Sequence, residues 1–149
     1  MTDSLDEVQN RIFGDLSKFY SATTVDHVMR PRNVGSLPEP DGFADCRSGC
    51  GEEMEIWLNL RGDIIHEITY WTDGCAATIA CGSMATELAK GKTIADAMAV
   101  NAVGIAGALD KLPEGNLHCA ELAADTLKNA LKDALVTKRD PWKKVYRKR

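Results

Sequence analysis

The chain has 149 residues, 44% of them hydrophobic and 27% charged, a composition that fits one globular domain with a single core and excludes disordered and fibrous classes. No apolar run approaches the ~18 to 20 residues that span a bilayer. The acidic opening (MTDSLDEVQN) has neither the basic-then-apolar order of a secretory signal nor the Arg-rich character of an organellar transit peptide, so a soluble, cytoplasmic protein with no membrane association is expected. The net charge of −4 is unevenly distributed: residues 138–149 carry +6 from seven basic groups set against Asp140, which leaves −10 on the remainder. An acidic body argues against nucleic-acid binding, whose affinity comes largely from neutralised phosphates. The basic tail reads as a solvated terminal extension, or as a docking element for an acidic partner. The expected organisation is a single domain over residues 1–137 followed by this tail, 138–149.

Residues 4–20 place Leu5, Val8, Ile12, Phe13, Leu16, Phe19 and Tyr20 at the spacing of an amphipathic helix, with Gly14 an unfavourable residue inside it. A short helix capped by Thr23 or Thr24 is expected through Met29. The segment after it, with three prolines and two glycines, reads as an irregular loop. Met54 to Leu60 alternates apolar and largely polar side chains, Arg61-Gly62-Asp63 forms a turn, and Ile64 to Thr72 is rich in β-branched and aromatic residues. These are two strands of a hairpin, with Phe43 to Ser48 as a possible third; connections this short demand antiparallel pairing. Helical periodicity then takes over: Ala77 to Lys90 ending at Gly91, a short helix capped by Thr93 through Val100, another over 104–111, and a last one from about Cys119 to Val136 with an apolar stripe of Leu122, Leu127, Leu131 and Leu135. Strands first and helices afterwards predict an α+β fold, a three-stranded antiparallel sheet with helices packed on one face.

Five cysteines, Cys46, Cys50, Cys75, Cys81 and Cys119, in a chain with no export signal leave thiols for metal or redox chemistry rather than disulfides. Cys50 sits in the glycine-flanked turn before the first hairpin strand, Cys75 follows Gly74 between the second strand and a helix, and Cys119 follows His118 at the start of the last helix. All three lie at element junctions, and the hairpin should bring Cys50 and Cys75 to one end of the sheet. Two are near helix N-termini, where the dipole and free N–H groups favour a thiolate. Three thiolates, the His118 imidazole and the Glu52 carboxylate describe a site for a thiophilic metal such as iron or zinc, delivered by distant loops rather than by a closed zinc-ribbon arrangement. Cys81, within a helix beside Ile79 and Met84, reads as a small buried hydrophobe. Cys46, four residues before Cys50, is open to either reading. His27 and His66 read as ordinary helix and strand residues, and Trp57 and Trp71 as sheet packing.

With these residues in place the sequence resembles the IscU/NifU N-terminal-domain family of iron–sulfur cluster assembly scaffold proteins, over roughly residues 18–135. Four stretches carry the resemblance: Phe19-Tyr20-Ser21 with Asp26-His27 and Pro31-Arg32-Asn33-Val34-Gly35; Cys50-Gly51-Glu52; Gly74-Cys75-Ala76 with Ile79-Ala80; and Leu117-His118-Cys119 with Leu122-Ala123 and Asp125. The resemblance implies that Cys50, Cys75 and Cys119 hold a transient [2Fe-2S] cluster with His118 beside them, and that Glu52 stands where the family has aspartate, a donor longer by one methylene. It implies iron as cargo and zinc as an occupant of the purified site. As partners it implies a cysteine desulfurase, whose persulfide sulfur would pass to Cys119 or, second, to Cys75, and apo iron–sulfur proteins as recipients. The Leu-Pro-Pro-Val-Lys motif read by a dedicated Hsp70-type chaperone is replaced by Leu112-Pro113-Glu114-Gly115-Asn116, so that partnership is not expected. His118 before Cys119, where the SufU branch has arginine, favours the IscU branch. No organic substrate is turned over in this reading, so no enzyme is expected. Two alternatives stand beside it: a structural or regulatory zinc protein using the same residues, and a thiol enzyme with Cys119 as nucleophile and His118 as base, disfavoured because adjacent residues at a helix start rarely point at one another and no third orienting group is evident.

Overall fold

The structure, a computed structural model, describes residues 4–144. It contains α1 (Leu5–Ser17), α2 (Ala22–Met29), β1 (Gly42–Arg47), β2 (Glu53–Arg61), β3 (Ile64–Thr72), α3 (Ala76–Ala89), α4 (Ile94–Ala97), α5 (Ala102–Ala108) and α6 (Leu117–Arg139), with short 3-10 turns at Glu114–Asn116 and Pro141–Lys144. The three strands form one antiparallel sheet in the order β1-β2-β3, the α+β architecture expected from the sequence.

The apolar alternation of β2 buries Met54, Ile56 and Leu58 on one face, and α3 and α6 cover that face. On β3 the buried residues are Ile65, Ile68 and Tyr70, an interrupted alternation. A register shift at Asn59/Leu60 accounts for it: Ile68 opposes Leu58 while Ile65 opposes Leu60, so one residue of slip keeps both isoleucines inward. On the opposite face the cross-strand pair Phe43 and Trp57 packs with ring centroids 5.4 Å apart, so Trp57 is the sheet-packing residue its sequence context suggested, while Trp71 stands half exposed.

The helix caps differ from expectation in one instance. Ser21, not Thr23 or Thr24, caps α2, its Oγ accepting from the Thr24 amide at 3.0 Å; the hydroxyl of Thr24 is turned inward to the Leu109 carbonyl at 2.9 Å. α1 begins with a capping box of Ser4 and Glu7. Thr93 caps α4 as expected, but that helix closes after one turn, at Ala97.

The irregular segment before β1 has a definite task. The Tyr70 amide donates to the Asn33 carbonyl at 2.9 Å and the Gly35 amide to the Tyr70 carbonyl at 3.0 Å, so this loop covers the outer edge of β3 in place of a fourth strand. Asn33 holds φ at 62°, a left-handed conformation that asparagine tolerates. The Arg32 amide and the Asn33 side chain reach across to Ser83 Oγ (2.9 Å) and Thr86 Oγ1 (3.0 Å) on α3. Ser83 Oγ also lies 2.7 Å from Nδ1 of buried His27. The Pro-Arg-Asn-Val-Gly stretch and His27 are therefore a clamp between loop, α2 and α3, the helix whose N-cap is Cys75.

Of the basic tail, residues 138–144 finish α6 and form the last 3-10 turn, while 145–149 lie outside the described residues. Lys144 pairs with Asp41 at 2.9 Å, Lys138 pairs with Asp63, and Arg139 and Lys143 flank Asp140 at 3.2 and 3.3 Å. Much of its described charge is met by acids of the same chain.

Candidate metal centre

The hairpin returns the chain to the end of the sheet from which it left, with Met54 opposite Thr72. The turn before β2 and the β3–α3 junction therefore meet, as the sequence predicts, and the start of α6 packs beside them. The turn is built by its own backbone: the Ser48 amide donates to the Glu52 carbonyl at 2.8 Å, the Gly51 amide to the Ser48 carbonyl at 3.0 Å, and the Glu52 amide to Ser48 Oγ at 3.2 Å. Gly51 takes φ of 90°, a conformation other residues rarely adopt. This turn aims the Glu52 carboxylate inward. One oxygen accepts from the Cys75 amide at 3.4 Å, and the other accepts from the Thr78 hydroxyl at 2.8 Å.

Glu52, His118 and Cys119 each bring a donor atom within 4.8 Å of the others. Cys119 Sγ lies 3.6 Å from His118 Nε2 and 4.0 Å from Glu52 Oε2. Cys75, the N-cap residue of α3, makes no capping bond with its side chain, and its sulfur sits 3.5 Å from Thr78 Oγ1, which is itself 3.2 Å from Cys119 Sγ. The structure thus gathers Glu52, Cys75, His118 and Cys119. Cys50 is exposed on the turn two residues before Glu52, and its thiol is outside the 4.8 Å group. Cys119 is fully buried whereas Cys75 is exposed. Burial pushes the Cys119 thiol up to about 11; the Thr78 contact works against that shift, and the neighbouring Cys75 and Glu52 add to it. A metal must therefore displace a firmly held proton from this thiol. The Tyr20 hydroxyl is also pushed up, first by burial and then by the charges of Cys75 and Cys119.

Cys81 is fully buried and its thiol is pushed up by burial, in keeping with its reading as a core residue. Cys46 lies on β1, half-buried, and accepts from Asn129 Nδ2 at 3.2 Å. It lines a groove of about 570 Å³ that starts at His118 of the donor cluster and runs along α6 past Asp125 and Lys128. Another close group, Asp45, Glu53 and Glu55, is made of carboxylates alone, and Glu53 is already paired with Arg47 at 3.2 Å.

Besides the position of Cys50, two points depart from the sequence reading. His118 and Cys119 do face each other, 3.6 Å apart, against the expectation for adjacent residues. The arrangement is nevertheless not that of a base held by an acid, because Glu52 approaches the same ring nitrogen, Nε2, at 4.0 Å, whereas an orienting acid must bond the other one. Thr78 was missed. The signal available was a hydroxyl three residues after Cys75 at a helix start, but nothing in the sequence tells which way such a hydroxyl turns.

Fold and site together define a small α+β protein with a sulfur, nitrogen and oxygen donor cluster at one end of a three-stranded sheet. Residues 19–139 match the profile of the NifU-like N terminal domain, and the chain belongs to that family. It is 44% identical over 115 residues to the iron-sulfur cluster assembly scaffold protein IscU 1 of Archaeoglobus fulgidus, covering 76% of this chain and 75% of the relative. It is 38% identical over 120 residues to the iron-sulfur cluster assembly scaffold protein IscU of Aquifex aeolicus, covering 78% and 76%. The fold is shared with a NifU-like N-terminal protein from Brucella abortus, at a TM-score of 0.64 and 18% identity over 81% of this chain and 97% of the other.

Proposed function

We propose that this chain is a scaffold on which a [2Fe-2S] cluster is assembled before transfer to apo iron–sulfur proteins, and that it is not an enzyme. The observation that carries the reading is the convergence of Glu52, His118 and Cys119 within 4.8 Å, with Cys75 joined to them through Thr78. Thiolate, imidazole and carboxylate donors suit iron in a cluster as well as zinc. The names borne by the relatives from A. fulgidus and A. aeolicus support the same function. Cys50, Cys75 and Cys119 are the proposed cluster cysteines, with His118 and Glu52 as the remaining donors. Cys50 stands on the same turn as Glu52, two residues before it, with its side chain exposed.

Sulfur comes from a cysteine desulfurase: an acceptor thiolate attacks the outer sulfur of the desulfurase persulfide, the S–S bond breaks, and the desulfurase thiolate leaves. A separate electron donor then reduces the transferred sulfur to sulfide with two electrons. The acceptors are Cys119 and Cys75. Cys75 is open in this conformation, whereas Cys119 requires Glu52 to withdraw first. The protein supplies ligands and controlled exposure, and works in the cytoplasm.

Anaerobic reconstitution with ferrous iron, L-cysteine, a desulfurase and a thiol reductant as the electron donor tests the proposal. Visible absorbance of a cluster is expected in the wild type and its loss in each of Cys50→Ser, Cys75→Ser and Cys119→Ser. A sample that binds zinc but stays colourless would instead make this a zinc protein, and full colour in all three variants would refute the ligand assignment.

A further inference from the structure

Thr78 is fully buried in the first turn of α3, and what its hydroxyl does is unusual for this chain. The other buried helical threonines shown bonding within their own helix, Thr86 and Thr126, donate to the carbonyl four residues back, at 2.9 Å to Gly82 and 2.7 Å to Leu122. Thr78 instead donates to Glu52, 26 residues away, at 2.8 Å, and faces the sulfurs of Cys119 and Cys75 at 3.2 and 3.5 Å. The fold makes room for it: a Cβ on Gly74 would lie 2.7 Å from the Thr78 side chain. A hydroxyl carries one proton and an ionised carboxylate only accepts, so that proton can hold Glu52 or a metal-bound sulfur, but not both. With its other oxygen on the Cys75 amide, Glu52 is pinned across the mouth of the cluster at both ends.

We propose that Thr78 is a positioning residue for metal capture, a clamp that keeps the Glu52 carboxylate across Cys75 and Cys119 until an arriving cation draws the carboxylate away. The inference rests on Glu52, Cys75 and Cys119 being metal ligands, as proposed above. Without the hydroxyl only the 3.4 Å bond from the Cys75 amide still holds Glu52, so the step that precedes coordination becomes faster. Keeping the hydroxyl and removing the methyl leaves the step in place.

Cobalt(II) is a suitable probe, since its sulfur-to-metal charge-transfer band reports thiolate coordination directly. In stopped-flow mixing at fixed pH, Thr78→Val, which keeps the shape and loses the donor, is expected to bind cobalt roughly tenfold faster than wild type, the factor that goes with releasing one hydrogen bond to a charged acceptor. Thr78→Ser is expected to behave as wild type. Should the valine variant fail to fold, Thr78→Ala carries the same comparison. A wild-type or slower rate in the hydroxyl-free variants, or an equal change in Thr78→Ser, overturns the clamp. Cys119→Ser run alongside separates the two proposals. If it loses charge-transfer intensity while Thr78→Val binds at the wild-type rate, the clamp alone is wrong; if it keeps the full band, the ligand assignment fails and the clamp with it.

Discussion

His27 shows how much a single side chain's role depends on residues far along the chain. Its neighbours in sequence mark it as an ordinary helical residue, yet it is buried with Nδ1 2.7 Å from Ser83, 56 positions away. Burial lowers its pKa first and the Arg32 charge second, while Asp26 and Glu87 pull the other way. The native state thus favours the neutral ring. Its contribution to stability is complete above the ordinary histidine value of about 6.5 and is lost as pH falls through the lower folded value. Asp26, held down by hydrogen bonds from Arg32 and Arg30, acts in a separate window below the usual carboxylate range. The thermal midpoint is therefore expected to fall between pH 7 and pH 5 in the wild type and to fall less in His27→Gln, whose amide can still reach Ser83; parallel curves for the two proteins would count against this account. At this scale the sequence is informative where a residue's fate is set locally, as for Cys81 inside an apolar helix. It is silent where the partner is distant, as for Thr78 and Glu52.

Elements were more legible than their residues, because periods of 2 and 3.6 are written in the side chains themselves. What could not be read were features settled by packing. The slip at Asn59/Leu60 is visible only once β3 is laid against β2, and Ser21 takes the cap of α2 because the Thr24 hydroxyl is drawn inward to Leu109. Packing also gives two glycines opposite meanings. A Cβ on Gly82 would lie 2.5 Å from the Tyr70 ring, the ring whose hydroxyl donates to the Ile79 carbonyl at 2.9 Å. Gly82→Ala is expected to force α3 off the sheet and cost about 1–3 kcal/mol, read as a lowered denaturation midpoint. Gly14 meets nothing within 4 Å, in a helix that buries no residue. Gly14→Ala should favour α1 locally by about 0.5–1 kcal/mol, seen as added helical circular dichroism, with the global midpoint almost unmoved.

For the molecule as a whole, the donors come from three separate pieces, the turn before β2, the head of α3 and the head of α6. A bound ion would fasten all three together, so metal and global stability are linked. With free zinc about a hundredfold above its Kd, the stabilisation is about 2.7 kcal/mol, a rise of about 5 to 10 °C in the midpoint for a chain of this size. A chelator should reverse it, and Cys119→Ser should show much less of it. The convergence of the hairpin ends was legible from the sequence, since a hairpin must return to its start. The present position of Cys50 outside the cluster was not, because the conformation of a short glycine-flanked turn leaves its exposed side chains unspecified.

The Lys144–Asp41 ion pair lies at the other end of the sheet, where the Asp41 amide donates to the Leu58 carbonyl and the Leu60 amide to the Asp41 side chain. The β2 residues from Glu53 to Leu58 stand between that anchor and the thiols, a separation of roughly 20 Å at the rise of a strand. A fluorophore, affinity handle or sensor chip grafted at the Lys144 turn would therefore hold the protein by its heel, leaving the sulfur-bearing mouth facing solution for an incoming donor or recipient.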